Sequence, residues 1–217
     1  MHTSVYLHPR SSTAPQLPRI GILGGTFNPI HCGHMEMART ARDEFRLQQV
    51  WLMPTRQPPH KRDTLISAAH RMRMVEVACE GESDLVASDV ELLREGTTYT
   101  VDTMRYLHQN RPADYFFIIG GDTVLELHTW YEFEEVMRLC KFIVFLRKGI
   151  PEEPVQREIA HLQSCYGAQF HISQHSCQQI SSTQIRQMAQ RGQSLAHLVP
   201  QQVEAYIRRH EVYHAVQ

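Results

Sequence analysis

The chain contains 217 residues, of which 42% are hydrophobic and 21% charged, a composition typical of a globular protein with one sizeable core. With 22 basic and 23 acidic residues the formal net charge is −1, so no overall field attracts the protein to nucleic acid or to an anionic membrane. No apolar run approaches the roughly 20 residues that a membrane-spanning helix requires.

Residues 1–18 are polar and interrupted by prolines, and they lack the apolar core of a secretory signal. We therefore expect a disordered or loosely attached tail there and a single domain over residues 19–217. The five cysteines are widely spaced and include no Cys-x-x-Cys pair, a pattern typical of reduced thiols in a cytoplasmic protein.

From Arg19 onward, short apolar runs alternate with helical patterns. The predicted strands are Arg19–Leu23, Gln49–Met53, Leu85–Ala87, Tyr115–Ile119, Phe142–Leu146 and Gln169–Ile172. The predicted helices are Gly33–Phe45, Ser67–Cys79, Val101–Asn110, Trp130–Leu139, Val155–Cys165, Ser182–Arg191 and Pro200–Val212. This alternation predicts an α/β fold, a doubly wound Rossmann-like parallel sheet with a small helical C-terminal part. In such a sheet, ligands bind at the carboxyl ends of the strands.

The eleven residues Gly24–His34 follow the first predicted strand and read GGTFNPIHCGH. Glycines let the backbone approach a phosphate closely, and a helix N-terminus offers N–H groups with a partial positive charge. His31 and His34 are three residues apart, so both imidazoles can face one phosphate if a helix begins at Gly33. Alternatively, one histidine caps the helix and the other is exposed in the loop. The complete string in a strand–turn–helix context favours a polyphosphate site and therefore nucleotide chemistry.

Other polar segments lie at predicted element boundaries. Residues 180–186, ISSTQIR, open a late predicted helix. Serine or threonine at a helix start caps it, but the N–H groups, the hydroxyls and Arg186 can also form a second anion site. Asp122 ends an apolar strand, where a carboxylate is suited either to ribose hydroxyls or to capping the next helix. Trp130 is either a core aromatic or a stacking platform for a planar ring.

Two further segments also allow two interpretations. Prolines stiffen residues 54–61, so His60 and Lys61 are held in place for a phosphate or belong to an ordinary solvated turn. Thr98, Tyr99 and Thr100 form either the wall of a pocket or a turn before the next helix.

The string His210–His214 reads HEVYH and matches the HExxH pattern of zinc peptidases, with both histidines on one predicted helical face. Such sites usually take a third ligand further along the chain, and the residues that follow are only Ala215, Val216 and Gln217. A frayed terminal helix is also poor support for metal ligands. We interpret the string as coincidental and expect no metal held by protein side chains.

Taken together, these segments resemble a known family. Gly24–His34 resembles the HxGH signature of the nucleotidyltransferase superfamily. The strings PPHK at 58–61, TYTVDT at 98–103, GDTVL at 121–125 with Trp130, and ISSTQIR at 180–186 are similar to those of bacterial nicotinate-nucleotide adenylyltransferases. The resemblance extends from about Arg19 to the C-terminal region, and its five motifs occur in the family's order.

The resemblance implies transfer of the adenylyl group of ATP to nicotinate mononucleotide, giving nicotinate adenine dinucleotide and pyrophosphate in NAD biosynthesis. It also implies Mg²⁺ as the ion that accompanies ATP. Asn28 stands where many relatives carry Asp, which suggests that phosphate oxygens and water hold this ion. The alternatives are another adenylyltransferase of the superfamily, acting on pantetheine phosphate or nicotinamide mononucleotide, and a non-catalytic nucleotide sensor.

The resemblance further implies which residues form the site. His31 and His34 are expected to be catalytic through the ATP phosphates, with His34 nearest the transferred phosphorus. ATP binding is expected from these two histidines together with Gly24, Gly25, Thr26, Phe27, Asp122, Ile180, Ser181, Ser182, Thr183 and Arg186, the last three holding the leaving phosphates. Mononucleotide binding is expected from Asn28, His60, Lys61, Thr98, Tyr99, Thr100 and Trp130. In the family the tryptophan stacks on the pyridine ring, and backbone N–H groups near it and near residues 98–100 receive the nicotinate carboxylate.

Overall fold

The computed structural model describes residues 16–56, 66–94, 96–146, 151–178 and 180–213. The predicted site residues His60 and Lys61 lie outside these ranges, and so do His214 and the first fifteen residues of the predicted tail.

Six parallel strands form one sheet in the order β3-β2-β1-β4-β5-β6. The strands are β1 Arg19–Gly25, β2 Gln49–Pro54, β3 Leu85–Ala87, β4 Asp114–Gly120, β5 Lys141–Phe145 and β6 Phe170–Ile172. All six strand predictions are confirmed, with ends that differ by at most two residues. The prediction of a doubly wound parallel sheet is confirmed as well.

Eight α-helices occur in the described ranges, together with a 3₁₀ turn at Leu127–Thr129. They are α1 Cys32–Glu44, α2 Ala68–Cys79, α3 Thr100–Asn110, α4 Gly121–Val124, α5 Phe133–Leu139, α6 Glu152–Tyr166, α7 Ser182–Gln190 and α8 Gln201–Arg209. None of these helices has the length and apolar character needed to cross a membrane.

The helices cover both faces of the sheet, so the central strands β1, β2, β4 and β5 are buried on both sides, whereas the edge strand β6 is partly exposed. Consecutive residues of a strand point to opposite faces; Phe116 and Phe117 of β4 accordingly belong to two different core clusters. One cluster contains the buried faces of α1, α2, α7 and α8, and the other contains those of α3, α5 and α6. Burial on both faces explains why β4 reads as a continuous apolar run rather than an alternating one.

The C-terminal helices pack on the sheet rather than standing apart from it. Ile185 of α7 and both Val203 and Ile207 of α8 are buried in the same cluster as the first helix. The predicted small helical C-terminal part is therefore an extension of one helical layer.

Two helix boundaries differ from the prediction for local conformational reasons. The helix predicted from Trp130 begins at Phe133, because the 3₁₀ turn precedes it and Glu132 takes a left-handed φ of 48°. The helix predicted to end at Val212 ends at Arg209, and Glu211 and Tyr213 have positive φ values of 50° and 78°. The HExxH string thus starts after α8 has ended, and its second histidine, His214, lies outside the described residues.

The chain reverses its direction of progress across the sheet at β1. β2 and β3 lie on one side of it and β4, β5 and β6 on the other. The loops that leave β1 and β4 therefore diverge, and they leave a crevice at the carboxyl edge of the sheet where ligands bind in folds of this type.

Candidate active site

A cavity of about 560 Å³ opens in this crevice. Its walls include five of the predicted residues from the first loop and helix: Gly24, Gly25, Thr26, His31 and His34. Six more predicted residues line it from the other elements: Thr98, Thr100, Asp122, Trp130, Ile180 and Ser181. Segments far apart in the sequence thus meet around one space.

The two histidines cap the N-terminus of α1 reciprocally. His31 is the N-cap residue, and its Nδ1 accepts a hydrogen bond from the backbone N–H of His34 at 3.3 Å. In return, Nδ1 of His34 accepts from the backbone N–H of His31 at 3.2 Å. The rings stack with centroids 3.5 Å apart and an interplanar angle of 18°. The expectation that one histidine caps the helix is therefore confirmed for His31, whereas His34 lies in the first turn of α1 rather than exposed in the loop.

Capping also determines where each imidazole keeps its proton. A neutral imidazole has one N–H donor and one acceptor nitrogen. Because Nδ1 accepts in both rings, the proton is on Nε2 of His31 and of His34. The caps thus leave each ring with its N–H donor on the edge away from the backbone, beside the partial positive charge of the helix N-terminus.

Gly33 and Phe27 hold this pair in position. A side chain at residue 33 would place its Cβ 2.9 Å from the backbone oxygen of Gln178 and 3.3 Å from Nδ1 of His31, so only glycine fits there. Phe27 is 1% exposed and meets the ring of His34 edge-on, with centroids 5.0 Å apart. Phe27, a predicted ATP-binding residue, is absent from the described cavity lining and instead supports His34 from the core.

The loop after β1 is also fastened to α7. Arg186 donates from Nη1 to the backbone oxygen of Asn28 at 2.9 Å and from Nη2 to Oγ1 of Thr183 at 3.2 Å. Ser182 donates from its hydroxyl to the backbone oxygen of Pro29 at 3.1 Å. Ser181 caps α7 by accepting from the backbone N–H of Gln184. The capping interpretation is again confirmed.

Asn28 is buried, with 2% of its surface exposed. Its side-chain oxygen accepts from the hydroxyl of Tyr213 at 2.9 Å. Burial raises the pKa of Tyr213, so this hydroxyl keeps its proton and donates. Asn28, Ser182, Thr183 and Arg186 stand beside the cavity rather than in its described lining.

The opposite wall carries Thr98, Thr100 and Trp130 of the residues predicted to contact the mononucleotide, whereas Tyr99 is absent from the described lining. Trp130 lines the cavity and meets Phe117 edge-on, with centroids 5.7 Å apart. Tyr99 packs on Tyr131 at 4.6 Å between centroids, which joins the segment before α3 to the segment before α5. The hydroxyl of Thr98 is buried and has no hydrogen-bond partner in the structure.

Arg71 of α2 is a positioning residue that the sequence analysis missed. It is 1% exposed and donates to the backbone oxygens of Thr26, Thr55 and Arg56 at 2.9, 2.6 and 3.0 Å. Desolvation by burial lowers its pKa. One guanidinium therefore joins the loops that leave β1 and β2. A sequence signal existed, because Arg71 shares its helical face with the apolar residues Met74, Val75 and Ala78.

Glu91 is a second missed residue. It lies in the loop between β3 and α3, is 7% exposed and lines the cavity. Burial raises the pKa of its carboxyl to about 7, against the lowering effects of hydrogen bonds from Thr103 and Thr55 and of the charge on Arg94. A glutamate in a polar turn segment carries no sequence signal of burial.

The described residues contain no group of three or more histidine, cysteine, aspartate or glutamate side chains placed to hold a metal ion. Asp122 is the predicted carboxylate that the cavity contains, in the first turn of α4. A metal centre built from side chains alone does not fit the described part of this site.

Comparisons with known proteins agree with this architecture. A cytidylyltransferase-like family model matches residues 22–188. A solved nicotinic acid mononucleotide adenylyltransferase from Plasmodium falciparum, complexed with NaAD, shares the fold with a TM-score of 0.72 at 18% identity, over 90% of this chain and 97% of that one. Fold and site thus define a nucleotidyltransferase of the cytidylyltransferase-like class.

Curated relatives identify the family within this class. A probable nicotinate-nucleotide adenylyltransferase from Synechococcus sp. (strain JA-3-3Ab) is 42% identical over 92% of this chain and 96% of its own length. Another protein of that name, from Desulfatibacillum aliphaticivorans, is 38% identical over 90% of this chain and 99% of its own length. The chain belongs to the nicotinate-nucleotide adenylyltransferase family.

Replacing the buried guanidinium tests its structural role. We expect Arg71→Met to lower the free energy of unfolding by about 3 kcal/mol, because three backbone oxygens lose a charged donor and a hydrogen bond to a charged group is worth about 1.5–3 kcal/mol. Urea denaturation measures the change. Arg73→Met is the matched control on the same helix; its side chain is 50% exposed, so the expected change is within about 0.5 kcal/mol. Equal effects of the two substitutions would contradict the role given to Arg71.

Proposed function

We propose that the protein transfers the adenylyl group of ATP to nicotinate mononucleotide, producing nicotinate adenine dinucleotide and pyrophosphate for NAD biosynthesis. The observation that carries the proposal is the reciprocally capped pair His31 and His34 at the N-terminus of α1, held at the switch point of a sheet in a chain of this family. The same fold in a protein complexed with NaAD, and in another complexed with an ATP analogue named APC, supports it.

In this reaction an oxygen of the mononucleotide 5′-phosphate attacks the α-phosphorus of ATP. The bond from that phosphorus to the oxygen bridging to the β-phosphate breaks, and pyrophosphate leaves with the negative charge. The substrate supplies its own nucleophile, so the protein needs none. What the protein must do is hold two mutually repelling anions in line and stabilise the charge that develops on the leaving group.

The histidines and glycines of the first loop suit that task. Nε2–H of His31 and of His34 donate to the ATP phosphates, with His34 nearest the transferred phosphorus. Gly24 and Gly25 let the phosphates approach the end of β1, and Thr26 continues that wall. Because both rings are fixed by their caps, their donors need little reorganisation when the charge develops.

The remaining ATP contacts come from the carboxyl ends of β4 and from α7. Asp122 accepts from ribose hydroxyls, as acidic residues do in nucleotide-binding folds. Ile180 and Ser181 form the adjoining cavity wall. Ser182, Thr183 and Arg186 hold the leaving β- and γ-phosphates at the start of the helix, where N–H groups favour anions.

The mononucleotide occupies the opposite wall. Trp130 stacks on the pyridine ring, and backbone N–H groups beside it and at Thr98, Tyr99 and Thr100 receive the nicotinate carboxylate. Asn28 orders the loop between the two substrates, and His60 and Lys61 neutralise the mononucleotide phosphate. Mg²⁺ enters as part of the substrate Mg-ATP, held by phosphate oxygens and water, which are this ion's common ligands.

We propose that the protein acts in the cytoplasm. Its five cysteines form no disulfide in the structure, as is usual where the thiol pool is reducing.

The direct test offers purified protein ATP, Mg²⁺ and either nicotinate or nicotinamide mononucleotide, and measures pyrophosphate release. We expect a strong preference for the nicotinate form. Equal use of both mononucleotides would support adenylyl transfer but contradict a pocket that selects the nicotinate carboxylate. Absence of pyrophosphate with either substrate, and its appearance with pantetheine phosphate, would overturn the proposal; no release with any acceptor would favour the nucleotide sensor.

His34→Ala is expected to lower kcat by roughly 10²–10⁴, the scale on which a preorganised donor acts. Because Nδ1 of His34 also caps the backbone at His31, the variant should lose about 0.5–2 kcal/mol of stability but still fold. Steady-state kinetics and thermal unfolding separate the two effects. His161→Ala, at an exposed position of α6, is the control. A folded His34→Ala protein with unchanged kcat would refute the assignment.

Trp130→Ala is expected to weaken mononucleotide binding more than ATP binding, because the stacked ring belongs to one substrate alone. The exposed Tyr106→Ala on α3 serves as the matched aromatic control. Titration of each substrate separately measures the two affinities. If both affinities fall equally, Trp130 is a general support of the cavity rather than a platform.

A further inference from the structure

Glu91 occupies a junction between three segments of the mononucleotide wall. It lines the cavity from the loop after β3, beside Thr55 at the end of β2 and Thr103 in α3. The hydroxyl of Thr103 donates to Oε1 of Glu91 at 3.0 Å, and Thr103 is fully buried. A carboxyl group in this place is used by no step of the proposed reaction.

The hydroxyl of Thr103 has one hydrogen and two acceptors within reach. Besides Oε1 of Glu91, the backbone oxygen of Tyr99 lies 3.3 Å from the same hydroxyl oxygen. An ionised Glu91 can only accept, so it takes this hydrogen. A protonated Glu91 can instead donate to Thr103, which frees the hydroxyl hydrogen for Tyr99. The backbone N–H of Thr103 already donates to the Tyr99 oxygen at 3.2 Å, so the protonation state of Glu91 decides whether the hydroxyl of Thr103 adds a second hydrogen bond to it.

That loop forms the wall proposed for the nicotinate carboxylate. Thr98 and Thr100 line the cavity on either side of Tyr99, and Trp130 lines it as well. Thr98 is 7% exposed, and its buried hydroxyl has no hydrogen-bond partner among the described residues. An unsatisfied buried hydroxyl in a cavity wall indicates that a ligand completes its hydrogen bonding.

Charged groups from each neighbouring element surround Glu91. Arg94 of the same loop lies 3.4 Å from Asp102, and Asp102 lies 3.8 Å from Arg105, both on α3. Arg56 after β2 and Arg71 of α2 donate to backbone oxygens. The other titratable groups among the described lining residues are those of His31, His34, Asp122 and Cys177. Arg94 also lies 3.4 Å from the hydroxyl oxygen of Thr103, and its charge favours the ionised form of Glu91. An anion bound beside Glu91 opposes that effect and disfavours the ionised form.

We propose that Glu91 is a positioning residue of the mononucleotide subsite, and that it takes up one proton when the anionic mononucleotide binds and so lets Thr103 fasten Tyr99. This inference rests on the proposed function, since it takes nicotinate mononucleotide as the ligand of this wall. The proton comes from solvent, and no covalent bond other than the O–H bond is formed.

A definite pH dependence follows. The pKa of Glu91 is about 7 in the free protein because the carboxyl is buried. Above that pH Glu91 is mostly ionised in the free protein and must take up a proton before the mononucleotide binds. The apparent affinity is therefore the affinity of the protonated form multiplied by the fraction of molecules in which Glu91 is protonated. Between pH 6 and pH 8 we expect KM for nicotinate mononucleotide to rise about tenfold.

Glu91→Gln mimics the protonated carboxyl and tests the proposal. Its KM for nicotinate mononucleotide should stay nearly constant from pH 6 to pH 8, apart from changes that the wild type shares. Glu153→Gln is the matched control, because its side chain is 78% exposed on α6, and it should retain the tenfold rise. Nicotinamide mononucleotide, which lacks the carboxylate, should show a smaller rise with the wild type.

Calorimetry supplies a readout that does not depend on catalysis. Titration of nicotinate mononucleotide at pH 8 in two buffers of different ionisation enthalpy gives the number of protons bound. The wild type should take up close to one more proton than Glu91→Gln. Thr103→Val, a nearly isosteric change that removes a donor to the ionised carboxylate, should raise the pKa of Glu91 and move the KM rise to higher pH. If Glu91→Gln does not fold, the pH profile of Thr103→Val tests the proposal instead.

The outcomes separate the two proposals. Pyrophosphate release with equal pH profiles and equal proton uptake for wild type and Glu91→Gln would overturn the role of Glu91 and leave the function intact. Absence of adenylyl transfer by the wild type would overturn the function itself. An unshifted pH profile in Thr103→Val would likewise refute the coupling through the hydroxyl.

Discussion

The reciprocal cap at the N-terminus of α1 is the interaction on which the candidate site depends. Serine or aspartate would satisfy the same backbone donors, but each has only one short side-chain acceptor group to offer. An imidazole accepts at one nitrogen and donates at the other. His31 and His34 therefore complete the helix end and simultaneously carry hydrogen-bond donors to the place where the helix dipole favours an anion. The Nδ1 edge of each ring caps the helix, and the opposite Nε2 edge is the one proposed to contact phosphate.

Support for this pair comes from buried polar groups rather than from loops alone. Arg71 binds the backbone of two loops that leave the sheet, and Arg186 and Tyr213 bind the backbone and side chain of Asn28. Each of these contacts joins segments distant in the sequence. A guanidinium suits backbone oxygens because its N–H groups form a rigid planar fork. The irregular backbone after β1 is consequently held on several sides.

The two walls of the cavity differ in their electrostatics. The wall built from α1 and α7 presents donors and helix N-termini, which suits phosphate. The opposite wall has aromatic rings, threonine hydroxyls and one buried carboxyl, that of Glu91. An anionic ligand beside a carboxyl group disfavours the ionised form of that group. Burial raises its pKa to about 7, so its protonation responds to what binds beside it.

The sequence by itself determined the sheet and the position of the loop Gly24–His34 at the start of α1. Apolar runs buried on both faces have one stable arrangement in an alternating α/β chain, and the string Gly24–His34 carries its geometry locally. It could not determine the start of α5, where Glu132 takes a left-handed conformation, or the early end of α8. Nor could it show Glu91 as buried, because that burial arises only where β2, α3 and the loop after β3 meet. Local propensity acts over a few neighbouring residues, whereas desolvation of a carboxyl or a guanidinium depends on contacts across the whole fold.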